Sequence, residues 1–460
     1  MAARTHVLRM TEDQWQAMND GLWRRSDVES AAVLLADQLS GGGGVVYAVR
    51  EVIVVPDDAY EKREADLLRL SAAWMNGLVA RARLAALSVL SVHTHPKHGR
   101  AGFSWADDAG DERLVPAIHR RIPAVNHGAV NVTKTDATAR VWVGGEVTAC
   151  GLAVAGRALQ RFPVSEASVP EDEFHRQVLA LGRHGQAQLR QLRIGVVGLG
   201  GTGSIVNLLV AHLGVLSLLH QDGDLLEVTN APRVVGTRYA DRHTSVTKVA
   251  IAARLAREAR PDITVVGIDQ MLDTAEQALD LVHCDVIFSC VDRLAPRAIL
   301  NRLAYDAHIP VIDMGSGFRV DERGTIVAQG GKVSVIGPGR PCLWCWGDLD
   351  ADRVREEGLP SEERARLEAE GYIQGADEPQ PAVVAFNSLL ASAAVIEMLR
   401  IVTGFSSGGA GVDRLNFDFC SGTMRPARAR RGAGCRFCGV TGDDPGDRKA
   451  TEWRVGVTAA

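Results

Sequence analysis

The chain has 460 residues, 46% of them hydrophobic and 23% charged, with a formal net charge of -5. That length suits two hydrophobic cores better than one, and the mild acidity argues against a dedicated nucleic-acid binder. No apolar run reaches the roughly 18–20 residues of a bilayer span, and MAARTHVLRMTEDQW lacks a secretory apolar core. The expected setting is therefore the cytoplasm, with neither membrane nor nucleic acid as partner.

In chain order, the first part reads as helix, turn at Gly41–Gly44, strands, long helix and strand. GGVVYAVREVIVVPDD is β-branched and breaks at Pro56. Glu61 to Arg83 carries Leu67, Leu70, Trp74 and Leu78 at helical spacing. The apolar run Leu87–Val92 then enters SVHTHPKHGRAGFSWADD, and VNVTKT and ARVWVGG read as further strands. GRALQRFPVSEASVP loses periodicity and reads as a linker.

From about Glu171 strands and helices alternate. LRIGVVGLGG is a strand entering a glycine turn, SIVNLLVAHLG a helix closed by Gly214, and SLLHQDGD a second strand. KVAIAARLAREARP with ITVVGID, then CDVIFSCVD, RAILNRLAYDAHIP and VIDMG, continue the series. Residues 347–381 are highly charged and read as a solvated crossing segment. The expected fold class is α/β: a mixed α/β domain over 1–155, a linker over 156–170, a doubly wound Rossmann-like domain over 171–440 and a tail over 441–460.

Two sites stand out. His93 and His95 alternate on a strand and so project from one face. With a nearby carboxylate they make a three-ligand zinc set that leaves a position for water. The residues resemble the JAB/MPN metalloprotease family, whose pattern of a Glu on an early helix, His-x-His-Pro and Ser-x-x-Asp falls on Glu29, His93, His95, Ser104 and Asp107. The resemblance implies zinc held by His93, His95 and Asp107, Glu29 moving the proton and Ser104 supporting the oxyanion. The loop before Ser104 is one residue longer than usual, and Ala32 replaces a frequent glycine. His98 reads as solvated, and Asp108 fits the spacing less well than Asp107.

The second site opens with Gly198-Leu-Gly200-Gly201-Thr-Gly203, which fits any phosphate-cradling helix start, a dehydrogenase included. Asp222 ends the next strand as a ribose-binding acid should. Asn230, Arg233, Lys248, Asp292, Arg297 and Asn301 follow, and such cations with a carboxylate suit a triphosphate with Mg²⁺ better than hydride transfer. This ensemble resembles the E1/MoeB/ThiF adenylating family over about residues 171–440. The resemblance implies that the glycines and Ser204 approach the phosphates of ATP, Asp222 holds the ribose and Asp224 braces the site. Asn230, Arg233 and Lys248 grip the triphosphate, and Asp292 binds Mg²⁺. Arg176, of an Arg-Gln pair, reaches a partner's site, implying a homodimer.

Cys342, Cys345, Cys435 and Cys438 form two Cys-x-x-Cys knuckles, enough for a closed structural Zn–Cys₄ site. The family has the same pair bracketing its crossing loop. The other cysteines, Cys150, Cys284, Cys290 and Cys420, are isolated, with packing the expected role and Cys420 read as lying in a strand. Many relatives capture the activated carboxyl on a crossing-loop cysteine, and residues 346–381 contain none.

The two resemblances together imply a bifunctional enzyme of a bacterial ubiquitin-like pathway. It would adenylate the C-terminal carboxylate of a ubiquitin-like protein and process or deconjugate it as a zinc (iso)peptidase, with no thioester of its own. The implied partners are a ubiquitin-like or sulfur-carrier protein ending in glycine and an E2-like protein. The alternatives are sulfur-carrier activation for cofactor or amino-acid synthesis, and peptide adenylation beside an inert docking domain.

Overall fold

The structure, a computed structural model, describes residues 5–165, 167–321, 326–359, 362–363, 366, 382–405, 411–432 and 434–439. The tail over 441–460 and most of the crossing segment lie outside the described residues. Two compact units form, one of residues 5–165 together with Asp306–His308 and the other of the remaining described residues from Ala167 to residue 439.

The first unit runs β1 (Thr5–Thr11), α1 (Glu12–Leu22), β2 (Ala31–Gly41), β3 (Gly44–Val54), β4 (Tyr60–Arg63), β5 (Leu68–Leu70) and α2 (Ala72–Leu84). It continues with β6 (Ser88–Thr94), α3 (Trp105–His119), β7 (His127–Val132), β8 (Ala137–Val143), β9 (Glu146–Ala155) and β10 (Leu159–Phe162). The sheet order is β1-β3-β2-β6-β7-β8-β9-β10, and β1 also pairs with β9, so the sheet returns on itself. β2 lies at its centre, between β3 and β6. Its alternate residues feed two cores: Ala32, Leu34 and Ala36 pack with Leu8, Tyr47 and Leu90, while Val33 and Leu35 pack with Met75, Leu78 and Ile118.

Three readings are corrected here. VESAAVLLA is not a helix: a strand buried on both faces is apolar at every position, which periodicity alone does not separate from a buried helix. Glu29 therefore precedes a strand. The long helix over Glu61–Arg83 is only α2, because Tyr60–Arg63 and Leu68–Leu70 pair as a small antiparallel hairpin. Leu159–Phe162, within the stretch read as linker, is an edge strand antiparallel to β9.

The second unit contains α4 (Glu171–Arg190), β11 (Arg193–Val197), α5 (Gly201–His212), β12 (Ser217–Gln221), α6 (Lys248–Ala259), β13 (Thr264–Ile268) and β14 (Val286–Ser289). α7 (Leu294–Asp306), β15 (Val311–Val320), β16 (Ile326–Ile336), α8 (Ala351–Glu357), α9 (Val384–Thr403), β17 (Arg414–Asp418) and β18 (Thr423–Ala427) follow. Its sheet order is β13-β12-β11-β14-β15-β16-β17-β18. From β13 to β15 the pairs are parallel, with the order reversing between β11 and β14. In such sheets that switch point opens a crevice at the strands' carboxyl ends. Beyond β15 the pairing turns antiparallel, so the doubly wound sheet is mixed.

α9, 20 residues long, is apolar enough to cross a bilayer, with mean hydropathy 1.5 over an 18-residue window. Half of that window is buried, and Leu390, Ala394, Met398 and Ile401 lie in the core, as suits a central packing helix.

Candidate active sites and a candidate metal centre

In the first unit, β6 carries His93 opposite Ala31 of β2 and Asn131 of β7. One residue past the strand, the His95 N–H donates to Val132 O at 3.2 Å, extending the pairing. The loop to α3 is pinned by side chains: Gly102 N–H donates to Asn131 Oδ1 at 3.1 Å and Ala101 N–H to Asp136 Oδ2 at 3.0 Å. Ser104 then caps α3 in a reciprocal box with Asp107, accepting from the Asp107 N–H.

These constraints bring the predicted set together. His93 Nε2 lies 3.2 Å from His95 Nε2 and 3.1 Å from Asp107 Oδ1, and His95 Nε2 lies 3.4 Å from Asp107 Oδ2. Tetrahedral zinc with bonds of about 2.1 Å has ligand–ligand edges of about 3.4 Å, and one donor atom from each of the three residues lies within 4.8 Å of the others, a set that could hold such an ion. Glu29 Oε1 stands off at 3.9 Å from His95 Nε2, close to the set and outside it. Burial raises the Glu29 carboxyl above its ordinary range, which suits a proton carrier. Burial pushes the Asp107 carboxyl up as well, but hydrogen bonds from His93 and His95 outweigh it and hold the carboxyl well below the usual range.

Ser104 Oγ donates to Asp107 Oδ2 at 2.8 Å, so its hydroxyl orients that carboxylate rather than standing free. Asp108 pairs with Arg140 at 2.5 Å, and His98 is exposed. Arg63 was missed by the sequence reading. Its guanidinium donates to Glu29 O at 3.0 Å and to Ser30 Oγ at 2.6 Å, fixing the backbone that presents Glu29.

In the second unit the glycine turn joins β11 to α5 at the switch point. Gly198 has φ 84°, and a Cβ there would lie 2.7 Å from Cys290 O. A Cβ on Gly203 would lie 1.9 Å from Gly198 O, so strand and helix pack backbone to backbone. Gly200 opens on free space, and a Cβ on Gly201 would meet the Asn387 amide at 2.1 Å. The first turn of α5 thus presents unpaired N–H groups and positive dipole to the crevice.

Asp222 braces this turn. Its Oδ2 accepts from Leu199 N–H at 2.6 Å and its Oδ1 from Asp224 N–H at 2.8 Å. Burial raises its carboxyl, opposed by Lys248. Lys248, the first residue of α6, places Nζ 2.6 Å from Asp224 Oδ2. Arg233 Nη2 donates to Asn230 Oδ1 at 2.5 Å. Asp292 is exposed just beyond β14.

Three predicted contacts fall elsewhere. Ser204 is 1% exposed and its Oγ accepts from Val235 N–H at 3.0 Å, so it holds the loop carrying Arg233 and not a phosphate. Asn301 is fully buried and its Oδ1 accepts from Leu343 N–H at 2.8 Å, fixing the first knuckle. Arg297 is buried, 3.3 Å from Asp313 Oδ1, and donates to Met314 O at 2.8 Å. Of the three only Arg297 engages the sheet, while Ser204 holds a loop and Asn301 a knuckle. Arg176 is exposed on α4. Cys420 is exposed in the turn between β17 and β18, not in a strand, and burial pushes the Cys290 thiol up.

The four knuckle sulfurs cluster. Sγ separations are 3.7 Å for Cys342–Cys345, 3.5 Å for Cys342–Cys435 and 3.3 Å for Cys345–Cys438. A Zn–S bond of about 2.3 Å gives tetrahedral edges of about 3.8 Å, so these thiols could hold zinc after a small expansion. Trp344 and Phe437 stack at 5.8 Å, joining the knuckles by a second contact.

Comparison with known proteins matches residues 174–437 to the ThiF family. That is more than half of the 460 residues, and the chain belongs to this family. Among its relatives is the molybdopterin-synthase adenylyltransferase of Escherichia coli strain K12, 25% identical over 270 residues, spanning 58% of this chain and 95% of the relative. The sulfur carrier protein ThiS adenylyltransferase of the same strain is 27% identical over 280 residues, spanning 59% and 96%. The crystal structure of Escherichia coli MccB with MccA-N7isoASN covers 59% of this chain and 75% of its own, at 16% identity and TM-score 0.47.

Proposed function

We propose that the second unit adenylates the C-terminal carboxylate of a ubiquitin-like or sulfur-carrier protein with ATP. The observation that carries this reading is the clustering of Asp222, Asp224 and Lys248, with Arg233 beside Gly201, around the open N-terminus of α5. In the reaction a carboxylate oxygen of the carrier attacks the α-phosphorus of ATP, and the bond to the β-phosphate oxygen breaks. Arg233 and Lys248 offset charge on the departing pyrophosphate, and the α5 N–H groups take a phosphate oxygen. Mg²⁺, when bound, would neutralise phosphate charge, with Asp292 as its ligand. The relatives named for molybdopterin-synthase and ThiS adenylation support this substrate class. With no cysteine in residues 346–381, the acyl-adenylate is the last intermediate on this chain, consumed by an outside sulfur or amine nucleophile. The exposed Arg176 completes a neighbouring copy's site in a homodimer.

The test is ATP–pyrophosphate exchange with candidate carriers ending in glycine. Exchange dependent on the carrier's terminal carboxylate is expected; its absence with every such carrier defeats the reading.

The geometry of His93, His95 and Asp107 favours a second reading for the first unit, that of a JAB/MPN-type zinc peptidase acting on the same class of protein tail. Zinc would supply a water acidic enough to attack an amide near neutral pH. Glu29 takes the proton of that water and delivers it to the leaving amine. His93, His95 and Asp107 would hold the zinc, and Ser104 orients Asp107. Cleavage of a carrier fused through its terminal glycine, lost in His93→Ala and in His95→Ala, is the expected result. Cleavage unchanged in both variants would leave this unit a docking module.

A further inference from the structure

The turn that carries Asp292 is held by a residue far along the chain. α7 starts two residues after Asp292, and the first-turn N–H groups of a helix have no partner within it. Glu357, the last residue of α8, fills one of these positions: Ala295 N–H donates to its Oε2 at 2.8 Å. Arg293, directly after Asp292, donates through Nη2 to Glu357 O at 3.3 Å and pairs through Nη1 with Asp273 Oδ1 at 2.9 Å. On its other side the turn is tied by Cys290 N–H to Val197 O at 2.8 Å. Asp292 thus sits between a strand anchor and a clamp made by Glu357 and Asp273, at the carboxyl ends of the parallel strands. α8 belongs to the charged stretch that reads from sequence as a solvated crossing, so nothing in its composition points to this contact.

We propose that Glu357 and Arg293 are positioning residues for nucleotide binding: they fix the Asp292 turn so that its carboxylate meets the magnesium of a magnesium–nucleotide complex. The inference rests on the adenylation reading above. The clamp acts on a metal-bound contact and not on the phosphate cradle, because Glu357 holds Ala295 and Arg293 while Lys248 of the cradle pairs with Asp224. Its removal should weaken nucleotide binding only when magnesium is present.

The experiment measures binding of the non-hydrolysable analogue AMPCPP to the full chain by calorimetry, with and without Mg²⁺. Glu357→Ala is expected to weaken binding about tenfold with Mg²⁺, the scale of one lost charge-assisted hydrogen bond, and to leave Mg²⁺-free binding unchanged. Glu357→Gln keeps an oxygen for Ala295 N–H and should stay close to wild type. Arg293→Ala removes the other half of the clamp while α7 stays capped, and should reproduce the Mg²⁺-selective loss; it also carries the test if Glu357→Ala fails to fold. Equal affinities in wild type and the alanine variants overturn the proposal. So does a loss that is the same without Mg²⁺, or one shared in full by Glu357→Gln. A wild-type chain that binds AMPCPP in neither condition defeats the adenylation reading instead.

Discussion

Lys248 concentrates the physical demands of the proposed nucleotide site in one side chain. It is 8% exposed, opens α6 and has its ammonium 2.6 Å from Asp224 Oδ2. A phosphate entering the cradle shares that ammonium with Asp224 without uncovering a buried charge. Lys248→Ala should lower ATP–pyrophosphate exchange by about 100-fold, the usual cost of one transition-state cation. The bulkier planar head of Lys248→Arg should not restore it. Exchange rates within tenfold of wild type would remove Lys248 from the mechanism. His220, one strand position from Gln221, poses a different residue-scale question. It is fully buried with neither ring nitrogen hydrogen-bonded among the described residues, and burial pushes it down to about 4 from 6.5. The unfolded chain therefore binds the extra proton first, so stability is complete above about pH 6.5 and is lost as pH falls towards 4. The full window amounts to about 3 kcal/mol. His220→Leu should flatten that part of the pH dependence, measured as urea midpoints at pH 7 and pH 5; an unchanged slope would assign the acid sensitivity to other groups.

At the scale of elements, what the sequence discloses depends on whether a residue's role is local. Gly198 and Gly203 are legible because a tight turn and a bare helix–strand contact demand glycine at those spacings, and here a Cβ at Gly203 would meet Gly198 O at 1.9 Å. Gly203→Ala should destabilise the second unit by about 1–3 kcal/mol, a typical cost of overpacking, seen as a lower urea midpoint; a midpoint unmoved would mean the strand and helix can part freely. The alternation of strands and helices after Glu171 is equally legible, since each buried parallel strand is a short apolar run flanked by helical periodicity. β2 is not, because burial on both faces erases the alternation that marks a strand. The antiparallel extension by β16, β17 and β18 also escapes a reading tuned to βαβ units. The grouping of His93, His95 and Asp107 is suggested by their spacing, but Arg63 reaches Glu29 from a hairpin whose leucines mimic helical period. Asn301 and Arg297 lie near the nucleotide motif in sequence, yet α7 turns them towards Leu343 and Asp313. Sequence distance to a motif says little about which face of a helix meets it.

For the whole molecule, the question is whether two chemistries on one chain depend on each other. The candidate hydrolytic set lies wholly within residues 5–165, and the nucleotide cluster with the thiol cluster lies beyond Ala167. Each is assembled by contacts inside its own unit, from Arg63, Asn131 and Asp136 in one case and from Asp222, Val235 and Asn301 in the other. Mutations at sites with no shared partners act largely independently. His93→Ala should therefore abolish hydrolysis of a carrier fusion while leaving ATP–pyrophosphate exchange within about twofold, and Lys248→Ala should do the reverse. Zinc content gives a second readout. The three-ligand and four-thiol sets together call for roughly two zinc ions per chain, measured by elemental analysis of purified protein. His93→Ala should remove one and keep exchange. Cys435→Ser should remove the other and lower the thermal midpoint, because a closed thiolate site contributes to folding directly. A chain whose zinc content ignores both substitutions would have neither metal. If instead loss of the His93 zinc abolished exchange, the units would be coupled in a way that no contact within either one requires.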